Sequence, residues 1–417
     1  MSVKAPRLCW CAKKNEGYAK NELTLNKLPY MSLIGILVAF IASLAVVILV
    51  HPQIMKFALN HGVVDSPDAR KLQRNPVPVM GGVAVFFGMA IGFCVAGLFM
   101  NIIPLLPMFV AMSVMLGIGI ADDVAELSPK LRFVVEITIT LVLIFWTNIS
   151  LNDFQGLWGI NEVPLWVSIP LTIVAVVGII NAINLVDGVD GLSSGYCIMA
   201  SIAFGVMFYL SENYLLLLLC ALSIGGLLPF FFHNVFGKKT KMFIGDGGSL
   251  MMGVVMSTYV VVAVTSGSSC EKFAAEGVGV VPFTLAVMCV PVFDTVRVMV
   301  MRILRHTSPF HPDKTHLHHL FIEMGFSHFG TTISELLLNI IVIGAWYLAY
   351  RLGASVDVQF YVVMSVGIVL TAGFYKFMKI NQSRNTALFR WVKCLGERSH
   401  FEENRGWLSL QKIVDFR

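Results

Sequence analysis

The chain has 417 residues, of which 57% are hydrophobic and 13% are charged, and its formal net charge is +5. Soluble globular domains carry about twice that share of charged residues, so the composition excludes this class and indicates an integral membrane protein with many spans. The basic excess is small, and no nucleic acid partner is expected.

The apolar residues fall into segments that are long enough to cross a bilayer, which takes about 20 helical residues. We therefore predict an all-α polytopic membrane protein with about 11 transmembrane helices. Nothing in the sequence resembles a cleaved signal peptide, so the first span is expected to be retained. The predicted spans lie approximately at 31–51, 79–100, 104–121, 131–147, 164–180, 192–210, 213–232, 246–265, 278–301, 329–350 and 358–378.

Lysine and arginine predict the orientation, because they concentrate in cytoplasmic loops. If the first span ends in the cytoplasm, 22 of the 30 basic residues lie on that side, and only Lys272 and Arg351 lie in outer loops. The other six lie in the N-terminal tail, 1–30. Either the natural start is Met31 and the tail is dispensable, or the later loops dominate the orientation. The domains are then this tail, a transmembrane domain over 31–378 and a basic cytoplasmic tail over 379–417.

Polar residues concentrate in loops that follow odd-numbered spans, and so face one side. After the fifth span, Asn181, Asn184, Asp187 and Asp190 follow one another at intervals of three residues, with no Lys or Arg among them. Wherever the chain is helical, consecutive members of this series share a face. Two amides and two carboxylates suit a hydrated cation and a polar substrate. The simpler alternative is a polar hairpin loop, for which these residue types are ordinary choices.

Two further acidic positions lie on the same side. Asp122 and Asp123 end the third span, where an ionised carboxylate is costly without a partner. Because adjacent helical residues point about 100° apart, one of them can face a site while the other binds a cation or caps the loop. Asp246 opens the eighth span in a glycine-rich turn after three lysines and Phe243. It could simply cap the helix, but capping explains neither the flanking glycines nor the aromatic ring.

The first and last inner loops are basic or histidine-rich. Arg70, Lys71 and Arg74 could neutralise phosphates, although anchoring of a cytoplasmic loop explains the charges as well. The histidines of the last loop lack the cysteines and the helical spacing of common zinc sites, so phosphate contact is the preferred interpretation. From Leu317 the apolar positions recur at helical spacing, which predicts a short helix in the membrane interface. The histidines are His316, His318 and His319.

Together these loops resemble the polyprenyl-phosphate N-acetylhexosamine-1-phosphate transferase superfamily, which includes MraY and the WecA/TagO enzymes. The resemblance covers roughly residues 60–330. It is carried by Asn-Ala-x-Asn-x-x-Asp-Gly-x-Asp-Gly-Leu, followed by Phe-x-Gly-Asp-x-Gly-Ser. The first inner loop reads Asn-Pro-Val-Pro-Val-Met-Gly-Gly and the histidines read His-Leu-His-His, which is more similar to the WecA/TagO branch than to MraY.

The resemblance implies transfer of an N-acetylhexosamine-1-phosphate, by default GlcNAc-1-phosphate, from a UDP-sugar to undecaprenyl phosphate with release of UMP. It implies Mg²⁺, or Mn²⁺ in its place, held by Asn184 and Asp246. Asp122 would deprotonate or position the lipid phosphate, with Asp123 beside it. The other implied contacts are Lys71 and one of Lys130 and Arg132 at phosphate, Asp190 with Phe243 at uracil, Asn181 and Asp187 in the pocket, and His316, His318 and His319 at phosphate or sugar.

Several alternatives stay open. A lipid phosphate is already largely ionised near neutral pH, because its second pKa is about 6, so alignment could matter more than a general base. One-step attack and an aspartyl-phosphate intermediate both fit the residues. The product would start a surface polysaccharide, such as O-antigen, or a wall polymer, at a cytoplasm-facing site in the plasma (inner) membrane. The rivals are an MraY-type phospho-MurNAc-pentapeptide transferase and a nucleotide-sugar or anion transporter. A homodimer is one option for an oligomeric state that the sequence leaves undetermined.

Overall fold

The computed structural model describes residues 28–65, 76–308 and 314–415. These residues are mostly helical, with one two-stranded antiparallel pair, Val64–Asp65 with Val77–Pro78. The helices are α1 (Leu28–His61), α2 (Gly81–Ala96), α3 (Leu106–Ala125), α4 (Pro129–Thr147), α5 (Leu165–Leu185), α6 (Leu192–Leu210), α7 (Tyr214–Phe236), α8 (Gly245–Ala263), α9 (Glu271–Ala275), α10 (Val280–Val287), α11 (Cys289–Leu304), α12 (Leu317–Glu323), α13 (His328–Arg351), α14 (Val356–Ile368), α15 (Phe374–Ser383), α16 (Ala387–Glu397) and α17 (Arg405–Asp415).

Each of the predicted spans coincides with helical structure, and the all-α polytopic prediction is confirmed. Within the described residues, eight helices are long and apolar enough to cross a membrane, and a bent pair of helices makes a ninth. The other two predicted spans are weaker. The α2 helix has only 16 residues, and α4 carries Lys130, Arg132 and Glu136 in its first half.

The ninth predicted span, 278–301, consists of two helices and not of the one continuous helix that the sequence indicated. It bends by 73° between α10 and α11. Pro291 follows the bend and has no backbone N–H, so it cannot complete the helical ladder. The Asn339 side chain of α13 accepts from the Val290 amide at 2.9 Å and donates to the Val287 carbonyl at 3.0 Å. The side-chain amide of Asn339 thus forms hydrogen bonds with the backbone N–H and C=O groups that the bend leaves unpaired.

The α8 helix is in backbone contact with α2 and α3 through glycines. A Cβ atom at Gly82 would lie 2.3 Å from the Cα of Gly248, and one at Gly119 would lie 2.3 Å from the Cα of Gly247. Side chains cannot fit at such distances, and small residues are what allow helices in membranes to approach this closely. We call these two contacts the glycine seam. The seam fixes the start of α8 against its neighbours.

The predicted C-terminal tail is folded. Met378 of α15 and Phe389 of α16 are buried in a second apolar cluster. The same cluster contains Leu317, Leu320 and Phe321 of α12. The short helix predicted from Leu317 therefore exists, but its apolar face packs inside the protein and not in the membrane interface. The sequence pattern could not distinguish the two, because both surfaces are apolar.

Candidate active site

The site is built around the first turn of α8. Asp246 lies in that turn, yet its side chain does not cap the helix. Asp123 does so from α3, because its carboxylate accepts from the backbone N–H groups of Asp246 at 3.1 Å and Gly247 at 3.4 Å. Gly245 precedes them at φ +73°, a conformation that favours glycine. Of the two adjacent aspartates, Asp123 is therefore the one that caps α8, a helix other than its own.

The carboxylate of Asp246 is thereby free to meet Asn184 at the end of α5. The Asn184 Nδ2 donates to Asp246 Oδ1 at 2.8 Å and to Ser249 Oγ at 2.9 Å. The structure thus brings together the two residues that the resemblance assigned to a metal, from positions 62 residues apart. Only Asn181 and Asn184 of the predicted series are helical. Asp187 and Asp190 lie in the turns between α5 and α6.

Arg132 connects the acidic groups of α3 and α8. Its Nη1 lies 2.9 Å from Asp122 Oδ2 and 3.7 Å from Asp246 Oδ2. The other oxygen of Asp122 accepts from the Leu127 N–H at 2.8 Å. Lys130 is exposed, and the described residues give it no ion pair. Of the two basic residues proposed for phosphate, Arg132 is therefore the one at the site. Lys71 lies outside the described residues.

A cavity of about 380 Å³ opens beside these residues. Five of its lining residues are the carboxylates Asp65, Asp123, Asp187, Asp190 and Asp246. Burial, and then the charges of Asp246, Asp123 and Asp190, raise the pKa of Asp187 well above its usual value. Among the described residues, no Lys or Arg forms an ion pair with Asp187. The cavity therefore holds more carboxyl groups than its own basic side chains can pair.

Asp190 lies at the other end of the cavity with basic partners. Lys241 Nζ lies 2.6 Å and His328 Nδ1 2.8 Å from Asp190 Oδ2. Burial opposes ionisation, but the hydrogen bond from His328 and the charge of Lys241 together hold the pKa of Asp190 below its usual value. Lys241 is also 5.7 Å from the centroid of the Phe243 ring, which lines the same cavity. Asp190 and Phe243 thus adjoin one space, as the resemblance implied.

Only one of the three histidines reaches the cavity. His319 lines it, whereas His316 and His318 are buried behind it. His316 Nδ1 is 2.9 Å from Asp294 Oδ2, which also accepts from the Leu317 N–H and so fixes the start of α12. Burial, and then neighbouring His319 and His316, lower the pKa of His318 to about 3, so it is neutral at physiological pH. It positions its surroundings and supplies no charge to a phosphate.

His318 packs against the turn that carries the acidic residues. A Cβ atom at Gly188 would lie 2.8 Å from His318 Nε2. We expect Gly188→Ala to displace this turn and to lower activity roughly tenfold, a loss of about 1.4 kcal/mol of transition-state stabilisation. Removing the clash in the double variant with His318→Ala should recover part of the loss. The measurement is the steady-state rate with donor and lipid acceptor.

The matched control for this variant lies on α5. Gly178→Ala meets no atom of the described residues within 4 Å and should keep full activity. Equal rates for Gly188→Ala and the unmodified protein would show that the turn tolerates the displacement.

Sequence reasoning missed Glu136, Asp294 and His328. Glu136 is buried in α4 and accepts from Asn181 Nδ2 at 2.6 Å, so Asn181 is not among the residues that line the cavity. An ionisable residue inside an apolar span is itself a signal of function, and it was the signal available for Glu136 and Asp294. His328 gave no such signal, because it begins a span at the polar surface.

The donor set fits Mg²⁺ as a partner of substrate phosphates. Within the described ranges, no three His, Cys, Asp or Glu residues converge closely enough to hold a metal by themselves. Mg²⁺ usually takes one or two carboxylates and completes its shell with phosphate and water oxygens. Asp246 offers a carboxylate, Asn184 would have to turn its amide oxygen towards the ion, and the carboxyl groups clustered around Asp187 favour a cation.

Comparison with known proteins gives a family and named relatives. The model of glycosyl transferase family 4 matches residues 105–264. A Bacillus subtilis (strain 168) protein named "Probable undecaprenyl-phosphate N-acetylglucosaminyl 1-phosphate transferase" is 32% identical over 297 residues, 71% of this chain and 80% of the relative. A Salmonella typhi protein named "Undecaprenyl-phosphate alpha-N-acetylglucosaminyl 1-phosphate transferase" is 30% identical over 277 residues, 65% of this chain and 72% of the relative. A protein of Escherichia coli (strain K12) with the same name is 29% identical over the same length.

Proposed function

Because the chain belongs to glycosyl transferase family 4, we propose that it transfers N-acetylglucosamine-1-phosphate from UDP-N-acetylglucosamine to undecaprenyl phosphate and releases UMP. The observation that carries this proposal is the pairing of Asn184 with Asp246, which lines the same cavity as Phe243 and Asp190. The names of the relatives support the acceptor and the transferred group. The chain is a multi-pass membrane protein, and the distribution of basic residues supports a site at the cytoplasmic face of the inner membrane.

The donor would occupy the cavity with its base towards Phe243. An aromatic ring stacks on a base regardless of its hydrogen-bonding pattern, and the carboxylate of Asp190 can accept from a base N–H. Lys241 and His328 keep that carboxylate ionised and oriented. The pyrophosphate would then extend towards Asn184 and Asp246. Mg²⁺ bound there would neutralise the charge that develops on the departing UMP phosphate.

The acceptor phosphate would approach beside Arg132. An oxygen of undecaprenyl phosphate attacks the phosphorus that carries the sugar, a new P–O bond forms, and the bond to the UMP phosphate breaks. Because both oxygens of Asp122 are occupied by Arg132 and the Leu127 N–H, we assign to Asp122 the orientation of Arg132. The lipid phosphate is largely dianionic near pH 7 and needs no base. His319 would contact the donor's phosphate or sugar.

A donor panel tests this proposal. Purified protein with undecaprenyl phosphate, Mg²⁺ and radiolabelled UDP-N-acetylglucosamine is expected to give labelled lipid and an equal amount of UMP. UDP-N-acetylgalactosamine and UDP-MurNAc-pentapeptide are expected to react far less. Label that enters sealed vesicles without joining a lipid would instead support a transporter. Labelled lipid formed only from the pentapeptide donor would place the protein with MraY-type enzymes.

A further inference from the structure

The last helix ends against the loop that leads into α8. Asp415 of α17 accepts hydrogen bonds from three consecutive backbone amides, those of Lys238, Lys239 and Thr240, at 3.1 to 3.2 Å. The Thr240 hydroxyl donates to the same carboxylate at 3.0 Å. Successive amides that point at one anion form a nest. A single carboxylate, 175 residues away in the chain, therefore accepts from every amide of this turn. Thr240 has two further contacts, with His51 Nε2 through its carbonyl at 2.8 Å and with His233 Nδ1 through its hydroxyl at 3.0 Å.

A second contact attaches α17 beside this loop. The Trp407 ring lies 4.6 Å from the Phe236 ring at the end of α7 and 5.5 Å from the Phe329 ring of α13, centroid to centroid. Most of the other residues of α17 are exposed, among them Ile413. The helix is therefore attached at its two ends, by an aromatic cluster and by the Asp415 carboxylate.

The loop held in this way carries two residues of the site. Lys241 directly follows the turn and forms the ion pair with Asp190 at 2.6 Å. Phe243 follows two residues later, and its N–H donates to the Pro78 carbonyl at 2.8 Å. The second half of the loop is thus attached to the β-strand pair, while the first half is attached to Asp415 and, at Thr240, to His51 and His233. Lys241 lies between these two attachments.

We infer that Asp415 is a positioning residue for the donor subsite, acting through the turn 238–240 on Lys241 and Phe243. The inference rests on the proposed function, because these two residues are assigned there to the nucleoside of the donor. Asp415 does not line the cavity itself. The α17 helix does form one wall of a neighbouring cavity of about 930 Å³, which shares Asp190 and His328 with the first.

The main rival role is inhibition. A nest flanked by Lys238, Lys239 and Lys241 also suits a phosphate group. In that case the carboxylate of Asp415 would compete with a phosphate of the donor, and its removal would increase affinity for the donor. The two roles predict opposite changes in the KM for UDP-N-acetylglucosamine.

Kinetics of Asp415→Ala in the full-length protein separate these roles. Loss of the charge-assisted hydrogen bonds is expected to raise the KM for UDP-N-acetylglucosamine about tenfold, with kcat and the KM for undecaprenyl phosphate within about twofold of the unmodified protein. The KM of Asp415→Asn for UDP-N-acetylglucosamine should lie between those of Asp415→Ala and the unmodified protein, because its amide oxygen still accepts from the turn. Hydrogen–deuterium exchange should show faster exchange of the amides of residues 238–240 in Asp415→Ala.

Glu403→Ala is the control for charge, since it removes one exposed carboxylate just before α17 and is expected to change neither the KM nor the exchange. An unchanged or lower donor KM in Asp415→Ala would overturn the inference, as would faster exchange spread over the whole protein. These results require activity in the unmodified protein. If the unmodified protein makes no labelled lipid, the proposed function fails, and the exchange experiment still reports whether Asp415 holds the turn.

Discussion

Asp246→Ala is expected to abolish turnover, with a loss of roughly 10³-fold or more, as removal of several kcal/mol of charge stabilisation implies. The reason is geometric. Asp246 is the cavity-lining carboxylate that accepts from Asn184 Nδ2 at 2.8 Å, and it would bind the metal that neutralises the pyrophosphate. Chelation of divalent ions with EDTA should produce the same loss in the unmodified protein, and Mg²⁺ or Mn²⁺ should restore activity. The measurement is labelled-lipid formation over time.

The control for Asp246→Ala removes a carboxylate from the opposite end of the molecule. Asp357 accepts from the Trp158 N–H in the outer loops, and Asp357→Asn should keep activity within about twofold. A second readout is the affinity for Mn²⁺ in the presence of UDP-sugar, followed by electron paramagnetic resonance, which should weaken in Asp246→Ala. Full turnover by the unmodified protein in metal-free buffer would refute the metal assignment.

Asp122→Asn is expected to lose about 10²-fold in kcat, with little change in the KM for the donor, because it affects the transition state more than ground-state binding. In the structure Asp122 holds Arg132 at 2.9 Å. An asparagine accepts fewer charge-assisted bonds, so the guanidinium would lose its orientation towards Asp246 and the acceptor phosphate. A role as general base predicts a loss in the same range, about 10²–10⁴-fold, so the size of the effect does not distinguish the two.

The pH dependence does distinguish them. If Asp122 were the base, activity of Asp122→Asn should recover as pH rises, because the lipid phosphate becomes a full dianion above its second pKa of about 6. We expect instead that Asp122→Asn stays impaired by the same factor from pH 6 to pH 9. Arg132→Lys should show a parallel profile, because a lysine cannot reproduce the two-sided contact of the guanidinium. Profiles that converge at high pH would restore the base role.

The membrane fold was predictable from the sequence because the apolar segments are long and their loops differ in charge. The bend between α10 and α11 was not, because the groups that satisfy it come from Asn339 in another helix. The apolar pattern of α12 also did not reveal whether this helix packs inside the protein or lies in the membrane interface. The C-terminal helices looked like an anchoring tail in the sequence. Their packing was not predictable, because the residues that contact them are distant in sequence.

The site was predictable where the resemblance assigned residues. Asp246, Asp190 and Phe243 line one cavity and Asn184 donates to Asp246. The family is confirmed by the named relatives, and the roles of these residues stay predictions. Which of Asp122 and Asp123 caps α8 and which orients Arg132 depends on where α8 begins. Two adjacent identical residues do not reveal this in the sequence.

The glycine seam has a consequence for how products leave. Because the backbones of α2 and α3 touch α8 through Gly82 and Gly119, these helices cannot rock against one another without separating tightly packed backbone beside the first turn of α8. Opening of the site then falls to the connections, and the stretch between α7 and α8 moves only when Asp415 and the β-strand pair release it. In the proposed reaction, UMP would then leave by displacement of loops on the water side. The lipid product would stay in the bilayer and depart sideways, so each turnover would end with two separate releases into two different solvents.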